Sequence, residues 1–291
     1  MNARLRGYAS VFAAAFFWGA SGTLAKSLFQ HQIPVMLVVQ SRVLIAASFL
    51  TVALLFIDRK LLRISLSDLK DFALLGIIGV ALCNYAFYMA VNLTNVGLAI
   101  LMEFTAPAMV AIYVLVRKQE RVSKVKTISI LLSLAGSAIM LGAFNPSMHI
   151  TAIGIFFGIL SAVCFAFFNI YYKIANKHYS VWTAVTWTLI TAGSFWLVLD
   201  GLGGVNPGHL ATSDILILIG FSFSSIVLPY FFYFTGLKYL APSTAIIVAT
   251  LEPVVAILTS YAFLGEAFGL SQIAGGIFII SAVILLEAFR E

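Results

Sequence analysis

Long, uninterrupted apolar runs are the feature that most limits what this chain can fold into. The 291 residues divide into ten such runs of about 20 residues, separated by short polar connections. A helix needs about 20 mostly apolar residues to cross roughly 30 Å of hydrocarbon, and membrane strands would alternate instead. We therefore predict ten transmembrane helices, at residues 8–28, 34–57, 72–91, 96–116, 127–144, 151–172, 181–199, 214–236, 241–264 and 269–288.

The composition supports a membrane protein. Hydrophobic residues make up 62% of the chain and charged residues only 10%, whereas soluble domains carry about a quarter charged residues. Most of the chain therefore needs the lipid bilayer as its solvent. The net charge of +6 is explained below by membrane topology, so we expect anionic lipid rather than nucleic acid as its partner.

The basic residues are distributed unevenly between the two sides of the predicted bundle. With the N-terminus in the cytoplasm, 15 of the 17 Lys and Arg residues fall in cytoplasmic segments. Only Lys26 lies on the opposite side, and Arg42 lies within a span. Because cytoplasmic loops carry an excess of Lys and Arg, we predict a multi-pass protein of the plasma (inner) membrane with both termini cytoplasmic.

The chain contains an internal repeat, because features recur after 145–147 residues along most of its length. Each copy, 1–146 and 147–291, holds five predicted spans, and this odd number places the second copy upside down relative to the first. The prediction is an all-α integral membrane protein of two inverted five-helix repeats, an architecture common in secondary transporters. The alternative is a duplication that only builds a stable bundle. The matched pairs include Tyr85 and Tyr230, Tyr88 and Tyr233, Pro107 and Pro253, and Glu120 and Glu266.

Several motifs resemble the EamA-type transporters of the drug/metabolite transporter superfamily. They are Phe-Phe-Trp-Gly-Ala-Ser-Gly-Thr at 16–23, Gln-Ser-Arg at 40–42, and Leu-Glu-Pro-Val-Val at 251–255 with Leu-Gly-Glu at 264–266. The stretch of the first half that is equivalent to 251–266 contains Pro107 and Glu120-Arg121. It is similar but lacks the glycine before Glu120. The resemblance implies a cavity lined mainly by spans 1, 3, 4, 6, 8 and 9, and a family that exports amino acids, amines and other metabolites. It does not name a substrate.

Three ionisable residues lie within predicted spans, and each is a candidate functional group because buried charges are costly in lipid. Glu252 lies roughly 16 Å into its helix, where its carboxylate could bind an amine, carry a proton, or bond a neighbouring helix. Arg42 and Glu103 lie at similar depths, about 10–12 Å from the outer surface. We predict that these two residues interact, as a structural pair or as a gate.

A second candidate set combines aromatic rings with polar groups in the predicted cavity helices. Such side chains suit a substrate-binding pocket for a small zwitterion or an aromatic body, although helix packing would also explain each of them. The set comprises Trp18, Asn84, Tyr85, Tyr88, Asn169, Tyr230 and Tyr233.

The sequence lacks the motifs of the competing functional classes. H-E-x-x-H, G-x-S-x-G and the P-loop do not occur, so we expect neither an enzyme nor a nucleotide-driven pump, and no metal or cofactor. Cys83 and Cys164 are interpreted as inert buried thiols.

The prediction is a secondary transporter that exports a small metabolite, such as an amino acid or amine, by alternating access. The alternatives are an importer, a facilitative carrier or channel for another small solute, or an intramembrane enzyme. Whether transport is coupled to a proton and whether the protein forms a homodimer stay open.

Overall fold

The described part of the chain is entirely helical. The computed structural model describes residues 3–30, 34–94, 96–118, 123–140, 151–176, 178–200, 212–264 and 269–288. Every regular element in these segments is a helix, with no strand among them. In lipid every backbone polar group must bond within the protein, and a helix achieves this within a single segment.

The first half contributes seven α-helices. The π-helical segment Ile77–Leu82 joins the third and fourth of them into one continuous stretch, and two turn residues separate the fifth from the sixth. A short 3₁₀ helix, Arg59–Leu62, follows the second. The helices are α1 (Ala3–Gln30), α2 (Val35–Ile57), α3 (Leu66–Gly76), α4 (Cys83–Leu93), α5 (Val96–Glu103), α6 (Ala106–Val116) and α7 (Lys124–Met140).

The second half repeats this order of elements. A π-helical segment, Phe223–Val227, again lies within the third stretch, and two turn residues again interrupt the fourth. The helices are α8 (Ala152–Ala175), α9 (Val181–Asp200), α10 (Thr212–Ser222), α11 (Leu228–Tyr239), α12 (Pro242–Ala249), α13 (Glu252–Leu264) and α14 (Leu270–Ala288).

These elements form ten helical stretches among the described residues, which confirms the predicted number. Seven of the stretches are long and apolar enough to cross a membrane, and the other three contain α1, α7 and α14. The third stretch begins at Leu66 rather than at the predicted residue 72, because the helix extends into a polar N-terminal turn. The chain is therefore a multi-pass membrane protein.

Irregularities in the helices fall at matching places in the two halves. The π-helical segments begin at Ile77 and Phe223, and the interruptions fall at residues 104–105 and 250–251, an offset of 146 residues in both cases. The same offset separated the repeated sequence features, so the duplication extends to the local backbone geometry.

Helix packing follows the same duplication. α1 packs against α11 and α13, and its counterpart α8 packs against α4 and α6. The pairs α2–α9 and α7–α14 join each helix to its own counterpart. If every helix is replaced by its counterpart in the other half, the main contacts therefore remain the same. The described core lies where the halves meet.

Glycines permit the closest of these helix contacts. A Cβ atom at Gly136 of α7 would touch the carbonyl oxygen of Gly275 in α14, and a Cβ at Gly275 would meet the carbonyl of Gly136. A Cβ at Gly19 of α1 would likewise meet the carbonyl oxygen of Glu252 and the backbone nitrogen of Ala256. α1 thus lies directly against the first turn of α13, where one of the predicted site residues is located.

Candidate functional site

The two acidic residues predicted for the site flank the two helix interruptions. Glu103 is the last residue of α5, and Glu252 is the first residue of α13. Pro107 follows the first interruption and Pro253 the second. Proline has no N–H to donate to the carbonyl four residues earlier. The helix therefore does not continue regularly through either point, and broken helices near the midplane are where transporters build binding sites.

The helix ends give the two carboxyl groups different electrostatic environments. The N-terminus of a helix carries a partial positive charge and its C-terminus a partial negative charge. α13 therefore stabilises negative charge on Glu252, whereas α5 opposes it on Glu103. The two carboxyl groups also interact with each other electrostatically. Both side chains are half-buried.

Glu103 is held by a thiol that the sequence interpretation had treated as inert. The Cys83 Sγ–H donates to Glu103 Oε1 at 3.7 Å and also lies 3.6 Å from the carbonyl oxygen of Ser161. Cys83 joins α4 to α5 and α8 through these contacts. Sequence spacing gave no signal for this, because it does not report how neighbouring helices are rotated toward each other.

Arg42 lies in α2 and is almost fully buried, with only 5% of its surface exposed. Its Nη1 donates to the Tyr88 hydroxyl at 2.9 Å, and its Nη2 donates to Asn84 Oδ1. The guanidinium also lies over the Tyr88 ring, 5.0 Å from its centroid. The structure does not bring Arg42 and Glu103 into contact, although the two charges attract each other through space. Their direct interaction stays a prediction.

Asn84 connects the two halves of the chain. Its Nδ2 donates to the carbonyl of Val80 in the π-helical segment at 2.7 Å and lies 3.3 Å from the Tyr230 hydroxyl of α11. Tyr85 points elsewhere, with ring-centroid distances of 5.9 Å to Phe157 and 5.7 Å to Trp196. Asn84, Tyr88 and Tyr230 therefore share one polar cluster with Arg42, and Tyr85 lies outside it.

An aromatic cluster adjoins this polar one. Trp18 of α1 packs against Tyr230 and Tyr233, with centroid distances of 5.8 Å and 5.1 Å. The Tyr233 hydroxyl donates to Asn169 Oδ1, and both residues are completely buried. The Asn169 amide in turn donates to the carbonyl of Phe165 at 2.8 Å. In this conformation Tyr233 and Asn169 satisfy each other, while Trp18 is half-exposed.

A separate polar contact joins the start of α3 to the residues just before α9. The Tyr179 hydroxyl donates to Asp68 Oδ2 at 2.6 Å and accepts a bond from the Ser65 backbone N–H at 3.0 Å. The bond to the Asp68 carboxylate raises the pKa of Tyr179 above its ordinary value, since it stabilises the protonated phenol. Trp187 Nε1 donates to the Leu62 carbonyl at 3.0 Å nearby. No pattern in the sequence indicated this contact.

Some sequence predictions fall outside the part of the chain that can be described. Glu120 and Glu266 lie outside the described residues, as does the side chain of Lys26. Among the described residues, no group of three or more His, Cys, Asp or Glu side chains is arranged to hold a metal ion.

Comparisons with known proteins agree on one family. The profile of the EamA-like transporter family matches residues 5–142 and again 152–287. The inner membrane transporter YicL of Salmonella typhimurium, itself uncharacterized, is 25% identical over 293 residues, which cover 99% of this chain and 97% of YicL. An uncharacterized transporter of Archaeoglobus fulgidus is 31% identical over 219 residues, covering 74% of this chain and 76% of that protein.

Two further likenesses are more limited in what they show. The threonine/homoserine exporter RhtA of Escherichia coli is 26% identical over 185 residues, covering 63% of this chain and 59% of RhtA. A solved crystal structure superposes with a TM-score of 0.80, covering 99% of this chain and 100% of that one at 16% identity. The latter likeness shows the fold alone.

Proposed function

The chain belongs to the EamA-like transporter family, and on that premise we propose that it exports a small amino-acid-type or amine-type metabolite by alternating access. Transport proceeds at the interface between two inverted five-helix repeats, 1–146 and 147–291, in the inner membrane. Both termini lie in the cytoplasm. The relative named threonine/homoserine exporter supports both the substrate class and the direction.

The observation that carries this proposal is the acidic residue at each of the two helix interruptions. Glu103 and Glu252 lie at the ends of half-helices in the fourth and ninth stretches, at nearly equivalent points of the two repeats. A carboxylate at such a point binds an ammonium group by charge. Trp18 precedes Gly19, which lies against the Glu252 backbone, and its ring offers an aromatic face to the same cation. Because the main contacts survive exchange of the halves, two interchangeable states of opposite access follow from one architecture.

The polar and aromatic residues around the acids complete the proposed substrate site. Asn84, Tyr85, Tyr88, Asn169, Tyr230 and Tyr233 line or support the cavity, and the buried pairs among them become available as the halves move. Glu252 has one of two roles in this scheme: it is the counter-ion of the substrate's ammonium group, or it carries the coupling proton.

Metabolite counterflow in proteoliposomes tests the proposal. Purified protein should exchange labelled substrate against an internal pool of the same compound, which a channel would not do in a saturable way. Cells that lack the protein should accumulate the solute, and a lower internal level would instead indicate uptake.

Glu252→Gln separates the two roles of the carboxyl group. It should abolish proton-driven uptake but spare counterflow if Glu252 couples a proton, and abolish both if Glu252 is the counter-ion. Asp58→Asn is the matched control, because Asp58 is exposed and caps only the Lys60 backbone N–H. Full activity of Glu252→Gln in both assays would remove Glu252 from the site.

A further inference from the structure

Arg42 carries a buried positive charge, and its contacts with the described residues are all neutral. The guanidinium bonds the hydroxyl of Tyr88 and the amide oxygen of Asn84, and its other close neighbour is the Phe221 ring, 5.6 Å away. Guanidinium groups stay protonated in proteins. A buried cation within a membrane protein normally has an anionic partner, because removing it from water is otherwise expensive.

None of the described residues places an anionic group in direct contact with Arg42. Glu103 attracts Arg42 only through space, since its carboxyl group accepts from Cys83 instead. The Nε–H of Arg42 has no hydrogen-bond partner in the described part of the chain, although the side chain is 95% buried. The guanidinium therefore retains unused capacity for an acceptor beside the proposed cavity.

Asn84 occupies the place where such an acceptor would bind. Its neutral amide oxygen accepts from Nη2, while its amide nitrogen bonds Val80 and approaches Tyr230. Charge-assisted bonds from arginine to a carboxylate are about twice as strong as neutral ones and are often bidentate. A carboxylate that displaces the Asn84 oxygen gains this difference, and Asn84 is only half-buried.

We propose that Arg42 is the specificity-determining residue that binds a carboxylate of the substrate. The transported compounds are then zwitterions, with the carboxylate at Arg42 and the ammonium group toward Glu103 and Glu252. Amines without a carboxylate are rejected, because they leave Arg42 without an anionic partner and bring a second cation close to it. This inference rests on the proposed transport function and narrows its substrate class.

Matched substrates test the inference on the unmodified protein. Counterflow is measured with L-threonine, L-leucine and L-phenylalanine, each beside its amide and its decarboxylated amine. We expect at least one amino acid to exchange about tenfold or more faster than its two derivatives, the factor expected for a charged hydrogen bond. Equal exchange of an amino acid and its amine would overturn the inference but leave the transport function standing. If no compound exchanges, both fail together.

Variants assign the selectivity to Arg42. Arg42→Gln should remove the preference for the amino acid over its amide, and Arg42→Lys should keep part of it through the retained charge. Arg59→Gln is the control, because Arg59 is an exposed residue outside the cavity. If Arg42→Gln fails to fold, Arg42→Lys and the substrate pairs on the unmodified protein still decide. A variant that folds and keeps the full preference would show that another group reads the carboxylate.

Discussion

Polar side chains within the bundle depend on partners from the protein, because the hydrocarbon interior offers none. Tyr233 and Asn169 show this most clearly: each is completely buried, and the hydroxyl of one donates to the amide oxygen of the other. The bond joins α8 to α11 at the back of the aromatic cluster. Losing one partner therefore leaves the other buried and unsatisfied, which is worse than losing the bond alone.

Tyr233→Phe should destabilise the protein without a change in shape at this position. Leaving the buried Asn169 Oδ1 without a donor should cost about 1–3 kcal/mol. Thermal unfolding in detergent measures this. The control is Tyr239→Phe, since Tyr239 is exposed and its hydroxyl has no hydrogen bond among the described residues. A midpoint for Tyr233→Phe equal to that of the control would contradict the assigned bond.

Candidate residues for the site could be read from the sequence, but the contacts that they make in the structure could not. Arg42 and Glu103 were paired because helical rise gives each residue's depth in the membrane. Depth does not give the rotation of one helix against the next. In the structure Arg42 faces α4, where Asn84 and Tyr88 accept its bonds, and Glu103 faces the thiol of Cys83.

At the scale of helices, the interruptions fall at matching points of the two halves, beside the two acidic residues of the candidate site. Proline after each interruption was visible in the sequence, and so was the repeat offset. The π-helical segments were not, because a π turn reflects one extra residue accommodated by packing rather than a residue preference. The position of α1 against the first turn of α13 depended on a small residue, Gly19, whose neighbour could not be read from the sequence.

Gly19→Ala should disturb the candidate site by separating α1 from α13. The added methyl group would press on the Glu252 carbonyl and the Ala256 nitrogen, both of which are backbone atoms that cannot rotate away. Overpacking of this kind typically costs about 1–3 kcal/mol. We expect a lower unfolding midpoint together with slower counterflow.

Gly220→Ala is the matched control for this change. Gly220 is also a helical glycine, in α10, but a Cβ there meets no atom within 4 Å. Replacing it should stabilise the helix by roughly 0.5–1 kcal/mol. Equal midpoints for the two alanine variants would mean that α1 and α13 are not in the close contact described.

At the scale of the whole molecule, the packing of the two halves does not by itself determine the orientation of the transporter in the membrane. Because the main helix contacts persist when the halves are exchanged, neither half alone defines an inside or an outside. The basic residues supply that asymmetry, with 15 of 17 on one predicted side.

Reporter fusions should therefore place both termini, loop 58–71 and loop 117–126 in the cytoplasm. The segments 145–150 and 200–213 should lie outside. Alkaline phosphatase is active only outside and green fluorescent protein fluoresces only inside, so paired fusions at each position control for expression. A single loop on the unexpected side would contradict the ten-span topology.

The predicted topology would put the contact between Tyr179 and Asp68 at the cytoplasmic end of the bundle. It ties the start of α3 to the residues just before α9, and Tyr179→Phe removes both the bond to Asp68 and the acceptor of the Ser65 N–H. We expect faster hydrogen exchange at the amides of residues 63–68 in this variant, measured by mass spectrometry, with Tyr239→Phe unchanged.

The pH dependence of this contact follows from the raised pKa of Tyr179. In the folded protein the Tyr179 phenol stays protonated to a higher pH than an ordinary tyrosine, whose pKa is near 10. Its contact therefore stabilises the folded state fully below the ordinary pKa, and this stabilisation is lost as the pH rises through the raised pKa. Wild type and Tyr179→Phe, compared at the same pH, should therefore differ in exchange throughout the neutral range and converge only in alkaline solution. Convergence already near neutral pH would mean that the carboxylate of Asp68 does not hold the tyrosine hydroxyl, and that this end of the bundle is closed by other contacts.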